Sequence, residues 1–254
     1  MKILILTEKQ DMFYHILVEA LSGLDLPVGH AQFPINPEDI TSYDPDIIIH
    51  NCEKFAQLDY KNAINIGINE TAAPNTFSYK NKNSSNLIKP FVKLSTAKLN
   101  DERYKSDVVY VGNPSMLPDC IAEVQQKSDV NFKILNNHAV PITQYCGSCT
   151  FDDYKKFFHM SKCSLVNNSD SSMDLLSFKL LDILYAEGNP VLHENDDQFL
   201  SDINDAMNGK SFRDNFISKQ EVEEKHTNFN RMSDILAKVG LNKLSKMVLE
   251  SRGK

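Results

Sequence analysis

Residues Ser177–Leu192 read "SFKLLDILYAEGNPVL", and this stretch decides how the chain is built. Its apolar side chains recur at helical spacing, Gly188 supplies a helix stop, and "PVLHE" resumes as a short run suited to a buried strand. A helix leading through a Gly-Asn-Pro turn into such a strand is half of a parallel α/β unit. Two charges interrupt the helix: Lys179 and Asp182 stand three residues apart and share a face. On a solvated helix they are an ion pair worth ~0.2–0.5 kcal/mol. Beside a sheet edge they suit a phosphate and a ribose, because an ammonium only donates and an ionised carboxylate only accepts.

Moving outward, the same alternation continues. "SDVVYVGNP" reads as strand then loop, Ser115–Lys127 as a helix with Pro118 in its first turn, and "VNFKIL" as a strand. Asp152–Met160, Leu175–Ala186 and Asp197–Met207 read as helices, "CSLVNN" as a strand, and Phe212–Val248 as almost wholly helical. Nearer the start, "KILIL", "DPDIIIHN" and "NAINIGIN" are continuous apolar runs of the kind parallel strands show. Helices are expected over Met12–Leu21 and Glu53–Leu58. No G-x-G-x-x-G follows the first strand, so the dinucleotide fingerprint is missing. The polar stretches Asn75–Asn86 and Lys98–Ser106 separate two halves. The expectation is an α/β chain of two Rossmann-like lobes: an N-terminal lobe over residues 1–95, and a C-terminal lobe over 106–254 that includes the closing helices.

A chain of 254 residues, 41% hydrophobic and 24% charged, suits one large domain or two modest ones. No run approaches the ~20 apolar residues of a membrane span, and the opening apolar run is too short for a secretory signal. A cytoplasmic protein with no membrane partner is expected. The five cysteines, an odd number, fit a reducing compartment. Cys146 and Cys149 form a C-x-x-C without a second pair, so no metal site is expected. Against a net charge of −7, Ser78–Lys105 carries seven basic and two acidic residues. Such a patch marks a polyanion contact or a solvated linker.

Ligands of open α/β sheets sit beyond the carboxyl ends of the strands. Gly112 and Asn113 follow "DVVYV", where a glycine permits close backbone approach and a helix start offers N–H groups. Ser171 and Ser172, in "NNSDSS", would hold a diphosphate or cap the next helix. Lys179 and Asp182 complete this set of candidate phosphate- and ribose-binding residues.

These residues resemble a known superfamily. "KLLDILYAEGNPVL" is similar to the nucleotide-binding element of GT-B glycosyltransferases, K/R-x-x-E-x-x-A-x-G-x-P-V, with Asp182 in place of Glu and one extra residue before Gly188. "SDVVYVGNP", "TFDDYKKFFHMSKCSLVNNS" and "EEKHTNFNRMSDIL", with His226, Thr227 and Arg231, resemble in order the C-terminal lobe of spore-maturation-type members. The short N-terminal half resembles in outline the phage DNA glucosyltransferases, whose base lies in D-x-x-x-P after a strand. "INETAAP" offers Glu70 with Pro74 in that place. Asp11, His15 and His50 are the next candidates for the base.

The resemblance implies transfer of a sugar from a UDP-type nucleotide sugar to an acceptor hydroxyl, with no cofactor required beyond that co-substrate. Asp182 would accept both ribose hydroxyls. The first acceptor it suggests is hydroxymethylated pyrimidine in double-stranded phage DNA, contacted by Lys80, Lys82, Lys89 and Lys93, which would place the enzyme in the host cytoplasm. A protein, glycan or small-molecule acceptor, and a non-catalytic nucleotide- or sugar-binding protein, are the alternatives.

Overall fold

The computed structural model describes residues 1–8, 11–53, 63–69, 75–79, 86–95, 97–135, 151–167 and 175–252. The chain divides into two units, Met1–Lys93 with Thr227–Lys254, and Leu94–His226. Both are α/β and each is built on a parallel sheet, as the alternating pattern predicts.

The first unit runs β1 (Ile3–Thr7), α1 (Met12–Glu19), β2 (Val28–Gln32), α2 (Pro37–Tyr43), β3 (Ile47–His50), β4 (Ile64–Ile68) and β5 (Asn75–Phe77). Its strands lie in the order β2-β1-β3-β4-β5, every neighbouring pair parallel. The apolar runs of β1 and β3 are buried along their length, because helices cover parallel sheets on both faces. Leu4, Leu6 and Ile48 pack against Ile40 of α2 and Cys52. Strands β2 and β5 are absent from the sequence expectation. Both are edges: β2 has no fully buried residue, and β5 begins the stretch read as a polar boundary. The helix expected over Glu53–Leu58 lies almost wholly outside the described residues.

The second unit runs β6 (Ser106–Val111), α3 (Ile121–Gln125), β7 (Phe132–Leu135), α4 (Phe151–Met160), β8 (Ser161–Asn167), α5 (Leu175–Tyr185), β9 (Pro190–His193), α6 (Asp196–Met207) and α7 (Lys219–Lys225). The parallel order is β7-β6-β8-β9. Alternate residues serve opposite faces. Val108, Tyr110, Phe132 and Ile134 meet Ile121, Val124, Phe199 and Ile203 of α3 and α6. Val109, Leu135 and Val166 meet Phe157, Phe158 and Ile183 of α4 and α5. At the end of α5, Glu187 adopts a left-handed φ of 58° and the Gly188 N–H donates to the Ile183 carbonyl at 2.8 Å. A Cβ on Gly188 would stand 2.8 Å from the Phe158 carbonyl oxygen, so only glycine lets α5 turn into β9 there.

The helix expected over Ser115–Lys127 is divided. A short 3-10 turn covers Pro114–Met116, and α3 starts only at Ile121. Pro118 disfavours helical backbone at the residue before it, and Leu117 is accordingly extended at ψ 140°.

The closing helices α8 (Asn228–Lys238) and α9 (Asn242–Glu250) belong to the first unit rather than to the C-terminal lobe. Met232, Ile235 and Leu236 give α8 a buried stripe, and α8 packs on α1. Polar groups fix its register. The Asn228 side chain donates to the Ile16 carbonyl at 2.8 Å, and the Arg231 guanidinium donates to the Lys89 and Pro90 carbonyls at 3.1–3.3 Å. Thr227 caps α8 in a reciprocal box with Asn230 and forms a β-bridge to Val92. Thr227 and Arg231, two residues of the H-T-x-x-x-R resemblance, thus anchor the closing helix. No described helix is long and apolar enough to cross a membrane.

Candidate functional site

In the second sheet the chain passes from β6 to β7 on one side and places β8 on the other, so the connections after β6 and β8 diverge. Such a reversal opens a crevice at the carboxyl ends of the two strands. Gly112 follows β6 with φ +147°, a conformation that favours glycine. A Cβ there would lie 2.9 Å from both the Lys179 Nζ and the Tyr110 Oη. The missing side chain is therefore the space the ammonium occupies. Lys179 Nζ also stands 5.3 Å from the centre of the Tyr110 ring, a cation–π distance that holds the long side chain in place.

The backbone N–H groups expected to serve a phosphate here are already engaged. Gly112 N–H donates to the Leu135 carbonyl at 2.8 Å, extending the sheet ladder. The Asn113 side chain caps the 3-10 turn by accepting from the Ser115 N–H at 3.1 Å, and its carbonyl accepts from Met116 N–H and Tyr110 Oη. Asn113 is thus a cap, and among the described residues at this end Lys179 supplies a positive charge beside Gly112. Asn167, the last residue of β8, donates through its side-chain amide to the Met116 carbonyl and ties the 113–116 turn across the sheet edge. Ser171 and Ser172 lie outside the described residues.

Asp182 sits differently from its expected role. The residue is partly exposed, yet its Oδ1 is shut off from water and accepts no hydrogen bond. Burial pushes its carboxyl up to about 7, against the opposing pull of Lys155. With one oxygen sealed, Asp182 cannot offer both acceptors to a ribose diol. The cation acting on it is Lys155 of α4, only 1% exposed, whose Nζ lies 4.8 Å from the Tyr185 ring centre. Tyr185 in turn accepts from the Ser95 N–H at 2.9 Å. Sequence reasoning passes over Lys155. Its signal is a lysine on the stripe of Tyr154, Phe157 and Phe158, where an amphipathic helix otherwise carries apolar residues.

In the first unit, Glu70 lies outside the described residues, as do Lys80, Lys82, Cys146 and Cys149 elsewhere in the chain. β4 ends at Ile68, and Asn69 follows at φ +58°, its side chain accepting from Ser78 Oγ at 3.0 Å and Tyr79 N–H at 3.2 Å. The other candidate bases do not share one cleft. His50 is fully buried, and burial lowers its imidazole to about 4, so it is neutral at pH 7. Asp11 accepts from the Tyr14 N–H at 3.3 Å. His15 is exposed and lines an open cleft of about 540 Å³ with Thr7, Glu19, His30 and Gln32. Of the basic segment, Lys89 is exposed, whereas Lys93 is paired with Glu19 at 2.8 Å. Compared with protein-family models and with curated proteins, the chain matches none.

Proposed function

We propose that the protein is a nucleotide-sugar-dependent glycosyltransferase of the GT-B type, whose second unit holds the donor. The observation that carries this reading is Lys179, its ammonium seated over Gly112 where the second sheet reverses its strand order. A cation at that point suits a diphosphate, which gains negative charge as the sugar leaves. A fixed charge aimed where negative charge develops usually accelerates a reaction more than any other single device. In the transfer step the acceptor hydroxyl gives its proton to a general base, for which Glu70 is the candidate read from the sequence, while its oxygen bonds to the sugar C1. The bond from C1 to the diphosphate oxygen breaks, and the nucleoside diphosphate departs against Lys179. Asp182 contributes at most one oxygen to the ribose and sets the local field together with Lys155.

For the acceptor, the basic segment favours duplex DNA bearing hydroxymethylated pyrimidines, a base that would be flipped from the stack to react. Of the two described lysines among the four expected to meet phosphates, Lys89 is exposed, whereas Lys93 already serves Glu19. Calorimetric titration with UDP and a panel of UDP-sugars tests the donor site. Lys179→Ala should weaken binding by ~1.5–3 kcal/mol, the worth of a charged hydrogen bond, with circular dichroism unchanged. Equal affinity in a folded Lys179→Ala protein would remove the site. Mass spectrometry of nucleosides from hydroxymethylated DNA, incubated with protein and donors, tests transfer. Donor binding without any sugar gained by acceptor or water would leave a binding protein in place of an enzyme.

A further inference from the structure

Away from Lys179, the carboxyl edge of the second sheet gathers a second set of reactive side chains. His193 ends β9, Asp196 opens α6, and Cys120 immediately precedes α3. One donor atom from each, a thiol sulfur, an imidazole nitrogen and a carboxylate oxygen, falls within 4.8 Å of the other two. Surface carboxylates often cluster without a ligand. This set differs in chemistry, because three different donor types favoured by zinc converge from three separate elements.

We propose that Cys120 Sγ, His193 Nε2 and an Asp196 carboxylate oxygen form a binding site for a thiophilic divalent cation of the Zn²⁺ class. A tetrahedral zinc, with Zn–S near 2.3 Å and Zn–N or Zn–O near 2.0–2.2 Å, spaces its ligand atoms roughly 3.3–3.6 Å apart. His193 Nε2 and Asp196 Oδ1 stand 2.8 Å apart, so that pair opens slightly while the thiol closes in. The His193 ring is already held at an edge-to-face contact, 4.9 Å between centres, by Phe199, which is wholly buried. It therefore needs little reorganisation. On binding, the thiol proton leaves to solvent and the imidazole coordinates neutral through Nε2, its proton on Nδ1. Asp196 is exposed and the other two ligands are half-buried, so the fourth position faces water, as in three-ligand zinc sites that keep a water molecule.

The location gives the ion a structural consequence. The 112–120 segment is tied to the end of β8 through Met116 and Asn167, and Asn167 is in register with His193 on β9. A metal bond to Cys120 would fasten the far end of that segment to β9 and α6, clipping the whole edge that carries Gly112.

The test uses the full-length protein, stripped with chelator and titrated with Co²⁺ and then Zn²⁺. One equivalent of Co²⁺ should give a thiolate-to-metal charge-transfer band in the near ultraviolet, with intense visible bands of tetrahedral type, and Zn²⁺ should bleach both. Cys120→Ser should abolish the charge-transfer band. His193→Ala and Asp196→Asn should each weaken Zn²⁺ binding by at least the ~10–100-fold that loss of an outer-shell partner already costs. No cobalt–thiolate band in the wild-type protein, or a band that survives in Cys120→Ser, overturns the site. The second result would move the thiolate to another cysteine, Cys146 and Cys149 first. If Cys120→Ser fails to fold, Asp196→Asn decides: this exposed substitution leaves the core alone, and unchanged Zn²⁺ affinity in it overturns the assignment.

Discussion

The two sheets reverse their strand order in the same way, about β1 in the first unit and β6 in the second, yet the ends of their central strands differ. In the first unit that end is knitted together. Glu8 N–H donates to the Asn51 side chain at 2.8 Å, the Glu8 carboxylate accepts from the Glu53 N–H at 2.8 Å, and the Tyr14 hydroxyl lies 2.9 Å from the Leu6 and Ile49 carbonyls. His50 is sealed beneath. In the second unit the same place holds a glycine with an ammonium above it. Shared topology supplies a crevice, and the side chains at its lip decide whether it stays available to a ligand.

The largest expected effect tests the base proposed for the first unit. Glu70→Gln keeps the side-chain shape and removes the proposed base, so the proposed transfer should fall ~10²–10⁴-fold while UDP affinity stays constant. A parallel loss of UDP affinity, measured by calorimetry, would overturn the proposal that Glu70 serves only as the base.

Next in size is a pair of opposing titrations, one in each unit. Asp182 holds its proton up to about 7 when folded, above the 3.8 of an ordinary aspartate, so stability falls as pH rises between those values. His50 is lowered to about 4 from 6.5, so the unfolded chain binds the extra proton and stability rises with pH between them. From about pH 4 to 6.5 the two slopes cancel. Asp182→Asn should expose the His50 slope, about 1.4 kcal/mol per pH unit, in urea melts across that range. It should also stabilise the protein at pH 8 by roughly 1–4 kcal/mol. An unchanged, flat profile in Asp182→Asn would show that its carboxyl is not held protonated.

The smallest effect concerns the basic segment. Lys89→Ala should flatten the slope of log K against log salt for duplex DNA by about 0.9, whereas Lys93→Ala should change it less because Glu19 already occupies that ammonium. Equal changes, or no binding at low salt, would remove the distinction between the two lysines.

Much of this can be read from the residues. Apolar-rich runs announce β1, β3, β4, β6, β7, β8 and β9, since a strand covered on both faces leaves few positions for polar side chains. Edge strands carry no such signature, and β2 and β5 escape for that reason. The short helix α2 escapes as well, because "PEDITSY" buries only Ile40. Lys179 is legible through its spacing to Gly188. The orientation of Asp182 is not, because i, i+3 proximity to Lys179 says nothing of Lys155 on another helix. His193 and Asp196 are a local pair three residues apart, but no sequence pattern joins Cys120 to them, and the fold alone brings the thiol to the other two. The assignment of α8 to the first unit depends on backbone carbonyls at Lys89 and Pro90, acceptors that every residue carries and no sequence pattern marks.

The bridge between Val92 and Thr227 has a topological meaning. The chain leaves the first unit and returns to it through adjacent backbone, with Asn228 N–H bonded to the Val92 carbonyl at 3.0 Å. Residues Leu94–His226 are thus an insertion into a host fold, with both host ends pinned side by side. Excising them and joining the ends with a few glycines closes a short loop at small entropic cost, and Arg231 and Asn228 remain to seat the closing helices. The reverse operation is equally open: the host presents a ready socket, into which a different cassette with neighbouring termini could be grafted.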